Sequence, residues 1–195
     1  MVRGWTIRRW RGAFRAAVLR DVRGATALEF ALVAPVLIAL IVAIFEIAVM
    51  YFAQQGLETA TEVSARLILT GQAQQNFTGV KDAQGNVTKT PQQQFKEAAC
   101  ASLPTFLQCS RLYVDVTNVS NFSSANTALP TFTYDSNGNV TNSFTYSPGT
   151  QGAVVVVRLI YNWPTLAGPL GFDLSNRPGS QRMLLATSVM KTEGY

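Results

Sequence analysis

The sequence predicts an α+β protein: a long N-terminal transmembrane helix extending into a stalk, followed by a small antiparallel-sheet domain. Three observations predict it. Residues 30–45 carry no charged or strongly polar side chain, and with the small residues from Ala25 and the segment 47–52 the stretch suffices for the roughly 20 residues a bilayer crossing takes. Residues 54–75 then change to an amphipathic helical pattern. Beyond residue 110, short alternating or continuous apolar runs are separated by Asn, Gly and Pro, as strands are by turns. With 195 residues, the chain accommodates one membrane helix and one modest domain. The expected divisions are a basic leader (1–24), the transmembrane helix (25–53), a helical stalk (54–71) and an α+β domain (72–195).

The net charge of +5 is unevenly placed. Arg3, Arg8, Arg9, Arg11, Arg15, Arg20 and Arg23 precede Gly24 against the single acid Asp21, and the remainder is close to neutral. A basic leader can bind nucleic acid, but one abutting an apolar helix is better explained by the positive-inside rule, with the amino terminus cytoplasmic and the rest across the membrane. No nucleic-acid partner is expected. Trp10, Phe14, Ala17 and Val18 fall on one helical side among these arginines, a composition suited to an anionic leaflet. An organelle transit peptide shares that composition, but the apolar stretch that follows would then need a separate account.

Along the apolar run, Glu29 stands at the head and Glu46 roughly 25 Å further on at ~1.5 Å per residue. A boundary carboxylate can rest in the headgroups, or, for Glu29, pair with a neighbouring subunit's free α-amino group and set axial register. A carboxylate drawn into a bilayer costs a few kcal/mol, and the helix dipole favours it near the amino terminus. Glu46 reads either as a snorkelling interface residue, with Tyr51 and Phe52 as aromatic anchors, or as a pairing site for a partner helix. Pro35 frees a backbone carbonyl, which membrane helices tolerate. In the stalk, Leu57, Ala60, Ser64, Leu67 and Ile68 alternate with Glu58, Glu62 and Arg66 at helical spacing, with Gly71 as the expected stop.

In the domain, residues 72–91 read as loop and 95–103 as a short helix carrying Cys100. Leu112, Val114 and Val116 alternate with polar partners as a strand. Residues 131–134 and 140–146 flank a hairpin turn at Asn137-Gly138, with Phe132, Tyr134, Phe144 and Tyr146 expected on one face. Residues 153–161 are continuous enough to form a central strand, 163–179 make a Pro/Gly loop, and 182–192 a last strand. Asp135-x-Asn137-x-Asn139 has the start of a calcium loop, but Val140 and Tyr146 occupy positions where that loop needs Gly and Glu, so turn chemistry is the expectation, there and at the similar 82–88.

Cys100 and Cys109 either pair across a short loop containing Pro104, a closure worth ~2 kcal/mol in the chain-entropy model, or are two buried thiols. Two cysteines without histidine leave a zinc site short of ligands. Lack of histidine also excludes Ser-His-Asp and Cys-His arrangements, and no Gly-rich loop joins a strand to a helix. The expectation is a non-enzyme without cofactor or metal.

An ordinary secretory signal places a small-residue cleavage site after its apolar core. Here the small residue, Gly24, precedes it, so cleavage after Gly24 leaves the helix on the mature chain, with Ala25 first and Glu29 fifth. Arg23-Gly24 followed by Ala25-Thr26-Ala27-Leu28-Glu29-Phe30 and the apolar helix resembles a prepilin-type signal. More narrowly, residues 20–70 resemble the start of TadE-like proteins, the minor pseudopilins of the tight-adherence (Flp) pilus system; the tail ATSVMKTEGY is similar to theirs, and the two cysteines fit the same picture. The resemblance implies that a prepilin peptidase cuts between Gly24 and Ala25, that Glu29 with Phe30 serves assembly and register, and that the chain sits in the bacterial inner membrane with its domain periplasmic. It further implies oligomers formed through the N-terminal helix with other pilins or pseudopilins and the assembly platform. The contrasting expectation is an uncleaved, single-pass, membrane-anchored periplasmic binding or sensor domain that does not depend on Glu29.

Overall fold

The computed structural model describes residues 24–128, 130–135, 140–166 and 171–194. Residues 1–23 of the expected basic leader, with the helical side of Trp10, Phe14, Ala17 and Val18, the Asn137-Gly138 turn and Asn139 of the calcium-like spacing lie outside the described residues. The chain divides into two compact units at Ile44/Phe45.

In the first unit the described chain is helical. It forms the beginning of α1 (Ala25–Leu69), and Pro35 lies inside the helix without ending it. Leu28, Phe30, Leu32, Val33, Leu37, Ile38 and Ile41 are all exposed. Apolar side chains thus cover every side of this segment, as they do in helices surrounded by lipid or by other helices.

In the second unit α1 has one buried face. Ala53, Leu57, Ala60, Thr61, Ser64 and Ile68 are buried at the three- and four-residue spacing of an amphipathic helix. The two buried hydroxyls are satisfied within the helix: Thr61 donates to the Leu57 carbonyl (2.7 Å) and Ser64 to that of Ala60 (2.6 Å), which removes most of the cost of burying them. Gly56 is required by close approach, because a Cβ there would overlap the ring of Pro104. Glu62 and Arg66 are exposed; among the described residues the ion pairs are Lys89–Glu97 and Arg158–Asp115. The helix ends at Leu69, and Gly71 follows in the left-handed region at φ 75°.

Residues 72–91, expected as loop, hold a short helix α2 (Gln72–Asn76) and a hairpin of β1 (Val80–Lys81) and β2 (Val87–Lys89). The hairpin strands have no buried residue, so no alternation announces them. Their turn is closed by Asp82, whose Oδ1 accepts from the backbone N–H of Gln84 (3.0 Å) and Asn86 (2.8 Å), an Asx turn. Helix α3 (Pro91–Ala101) starts four residues before the expected 95. Its start is a capping box, in which Thr90 accepts from the Gln93 N–H and Gln93 accepts from the Thr90 N–H, with Pro91 in the first turn.

The sheet is antiparallel, in the order β3 (Leu112–Val119), β4 (Val154–Pro164), β5 (Gln181–Lys191). Leu112, Val114 and Val116 pair across from Tyr161, Leu159 and Val157, and Leu159 and Tyr161 in turn from Ala186 and Leu184. These residues pack with Leu57, Ala60, Ile68, Phe95 and Ala99 in one core, so one sheet face is covered by α1 and α3. Central β4 is buried along nearly its whole length, which explains its unbroken apolar sequence.

The opposite face holds Phe132, Ile160 and Met183, with Tyr113, Tyr134, Phe144 and Leu185 against them. Arg177 lies over the rings of Phe132 and Tyr134 (5.0 and 5.6 Å). Tyr134 and Val140 form an antiparallel bridge. The shared aromatic face is corrected by the structure: Tyr146 packs in the helix-side core, tilted against Phe95 at 5.4 Å. Asp115 causes the change. Paired with Arg158 at 3.4 Å, it accepts the Thr145 N–H at 3.0 Å, while Val116 donates to the Thr145 carbonyl and accepts from Ser147 (both 2.8 Å). The chain is thereby fixed along the edge of β3, with Phe144 and Tyr146 in different clusters. Cys100, in the last turn of α3, is disulfide-bonded to Cys109 just before β3.

Candidate functional site

Apart from the disulfide-bonded Cys100 and Cys109, the residues singled out in the sequence lie at the two ends of the apolar part of α1. Gly24 is exposed, and an added Cβ would meet nothing within 4 Å. Ala25 is the first helical residue. The first turn contains no acid, so Glu29 falls just beyond it, near the positive end of the helix dipole. Glu29 is exposed and Phe30 is 70% exposed. The helix thus follows an exposed Gly24, with a carboxylate near its start and then an apolar run whose large side chains are exposed.

At the other end, Glu46 is half-buried and meets its own domain. Its Oε1 accepts the backbone N–H of Leu166 at 2.9 Å, and its Oε2 is buried with no hydrogen-bond partner among the described residues. The sequence held no signal for Leu166, because a backbone N–H belongs to every non-proline residue.

Titration is shifted elsewhere in the domain. Burial pushes the phenol of Tyr146 up to about 12, raises that of Tyr161, and lowers Lys96, which sits 5.9 Å over the Tyr113 ring. Hydrogen bonds from Asn86 hold Asp82 below the usual carboxylate range. Among the described residues no three His, Cys, Asp or Glu side chains gather as a metal site would require. What α1 offers is an exposed apolar surface, with one carboxylate near its start.

The described helix is long and apolar enough to cross a membrane by length and composition. Comparison with curated proteins and with solved structures returns no match. Residues 24–66 match the model of a family described as TadE-like protein. The match opens at Gly24 and takes in Ala25, Glu29, Phe30 and Glu46. Over this segment the chain is similar to TadE-like proteins.

Proposed function

We propose that this protein is a minor pseudopilin-like subunit for assembly of a tight-adherence (Flp/type IVc) pilus, processed after Gly24 and packed through its N-terminal helix. A prepilin peptidase removes residues 1–24. Residues 25–53 cross the bacterial inner membrane, 54–71 form the stalk, and 72–195 lie in the periplasm. The new α-amino group of Ala25 on one subunit meets Glu29 of another. In a low-dielectric helix bundle that pairing is favourable only at the correct axial offset, since an unpaired carboxylate there is costly. Phe30 and the apolar residues beyond it supply the packing among homo- or hetero-oligomeric partners. The carrying observation is the exposed apolar length of α1 with Gly24-Ala25 and Glu29 at its head.

The test is the amino-terminal sequence of the mature protein from membranes, with and without the host's prepilin peptidase. The expected start is Ala25, dependent on the peptidase; an intact leader in competent cells sinks the reading. In a second arm, Glu29→Gln abolishes piliation at normal protein levels, because it removes the charge while keeping the shape. Wild-type piliation would demote Glu29 to a boundary charge.

A further inference from the structure

The crossing of the membrane by α1 leaves a geometric shortfall. Residues 30–45 span about 24 Å at ~1.5 Å per residue, against a hydrocarbon core of roughly 30 Å. With Glu29 at the entry boundary, the crossing takes in Glu46 and the residues just after it. The group bonded to Glu46 therefore lies at membrane depth as well, and that group is the backbone of Leu166.

We propose that residues 163–166, with Phe106 beside them, seat in the headgroup and upper acyl region of the same bilayer, held there by Glu46. The inference rests on the membrane crossing of α1 and not on cleavage or piliation. Three observations support it. The side chains are those of an interface: Leu166 is 69% exposed and Phe106 51%, and Trp163 packs edge-on to Phe106 at 6.4 Å. Trp and Tyr concentrate at membrane interfaces, and Tyr51 of α1 is exposed as well. The backbone is prepared for a medium without water, where every donor needs an internal partner: Pro164 has no N–H, Thr165 donates to the Ser180 carbonyl at 2.9 Å, and Leu166 donates to Glu46. Finally, Arg182, the register partner of Trp163, lines a cavity with Tyr51 and Gln54, a position from which a guanidinium can meet lipid phosphate.

The full chain carrying Trp5→Phe and Trp10→Phe has Trp163 as its sole indole. It would be reconstituted in phosphatidylcholine/phosphatidylglycerol vesicles whose acyl chains are brominated either near the glycerol or near the chain end. Shallow bromines are expected to quench Trp163 emission, and to quench it more than deep ones do. Leu166→Asp and Glu46→Ala should each weaken this quenching, whereas Leu166→Phe should keep it. Equal emission in brominated and plain vesicles, from protein that still resists alkaline extraction, overturns the seated loop while leaving the crossing of α1 intact. Quantitative alkaline extraction overturns the crossing and the loop with it. Quenching that appears only when a second subunit is added, or that Leu166→Asp leaves unchanged, also overturns the proposal.

Discussion

Helix α1 is one continuous element with two kinds of surface. Phe30 and Leu32 are 70% and 71% exposed, whereas Leu57, Ala60 and Ile68 have no exposed surface. The first unit bears large apolar side chains on all sides. The second bears small or apolar residues on one side, with Glu58, Glu62 and Arg66 on the others. Burial of apolar area drives folding wherever the chain itself provides the cover. The second unit has that cover in its sheet. The apolar surface of the first is left for lipid or neighbouring helices. The same secondary structure therefore serves domain stability in one unit and leaves an exposed apolar surface in the other.

The largest test of this contrast is a matched pair of truncations in the full chain in detergent. Phe95→Ala removes a ring with no exposed surface that packs against Phe77 at 6.2 Å and Tyr146 at 5.4 Å. It should lower domain stability by about 3–5 kcal/mol. Phe30→Ala should change it by less than about 0.5 kcal/mol, with its effect confined to assembly. Denaturant unfolding followed by near-UV circular dichroism compares the two. A Phe30→Ala cost similar to that of Phe95→Ala would break the division between the units.

A smaller effect sharpens the account of the second unit. The Cys100–Cys109 bond ties the end of α3 to the start of β3 across a sequence separation of 9. The chain-entropy model gives about 2.6 kcal/mol for so short a loop. The double variant Cys100→Ser/Cys109→Ser should lose about that much stability while α1 remains helical in far-UV spectra. Equal midpoints for oxidised and reduced wild-type protein would remove the bond from the stability account.

What was legible in the sequence follows from the same contrast. The apolar run and the stalk face announce themselves because long periodic patterns survive any tertiary context. Strands β3, β4 and β5 are visible because each side chain's burial follows from its place in one sheet. The exposed hairpin of β1 and β2 is invisible to hydrophobic pattern, since it is held by the Asp82 carboxylate and buries nothing. The early start of α3 did have a signal, Thr90 and Gln93 three residues apart, which the apolar residues from Phe95 onward obscure. For the candidate site, Gly24, Ala25 and Glu29 come from local order along the chain. The partner of Glu46 does not, because Leu166 lies 120 residues away and contributes only backbone.

The smallest effect concerns the edge of the second unit, where Tyr146 crosses to the helix-side core. Its hydroxyl is buried without a hydrogen-bond partner among the described residues, and burial pushes its pKa from 10.0 up to about 12. The folded chain therefore holds this proton over a range in which the unfolded chain releases it. Stability from this group is fully present below the unfolded value of 10.0 and is lost as pH climbs toward about 12. Tyr161 and Tyr134 are raised in the same direction by burial, so all three contribute to an alkaline decline. Tyr146→Phe removes one of them. Because the hydroxyl has no partner to lose, the substitution should be near neutral in stability at pH 7. Above pH 10 the variant should decline less steeply than the wild type, as read from unfolding midpoints across the alkaline range. Parallel declines would place the sensitivity on Tyr161 and Tyr134 instead, and would mean that the phenol of Tyr146 reaches water at the sheet edge.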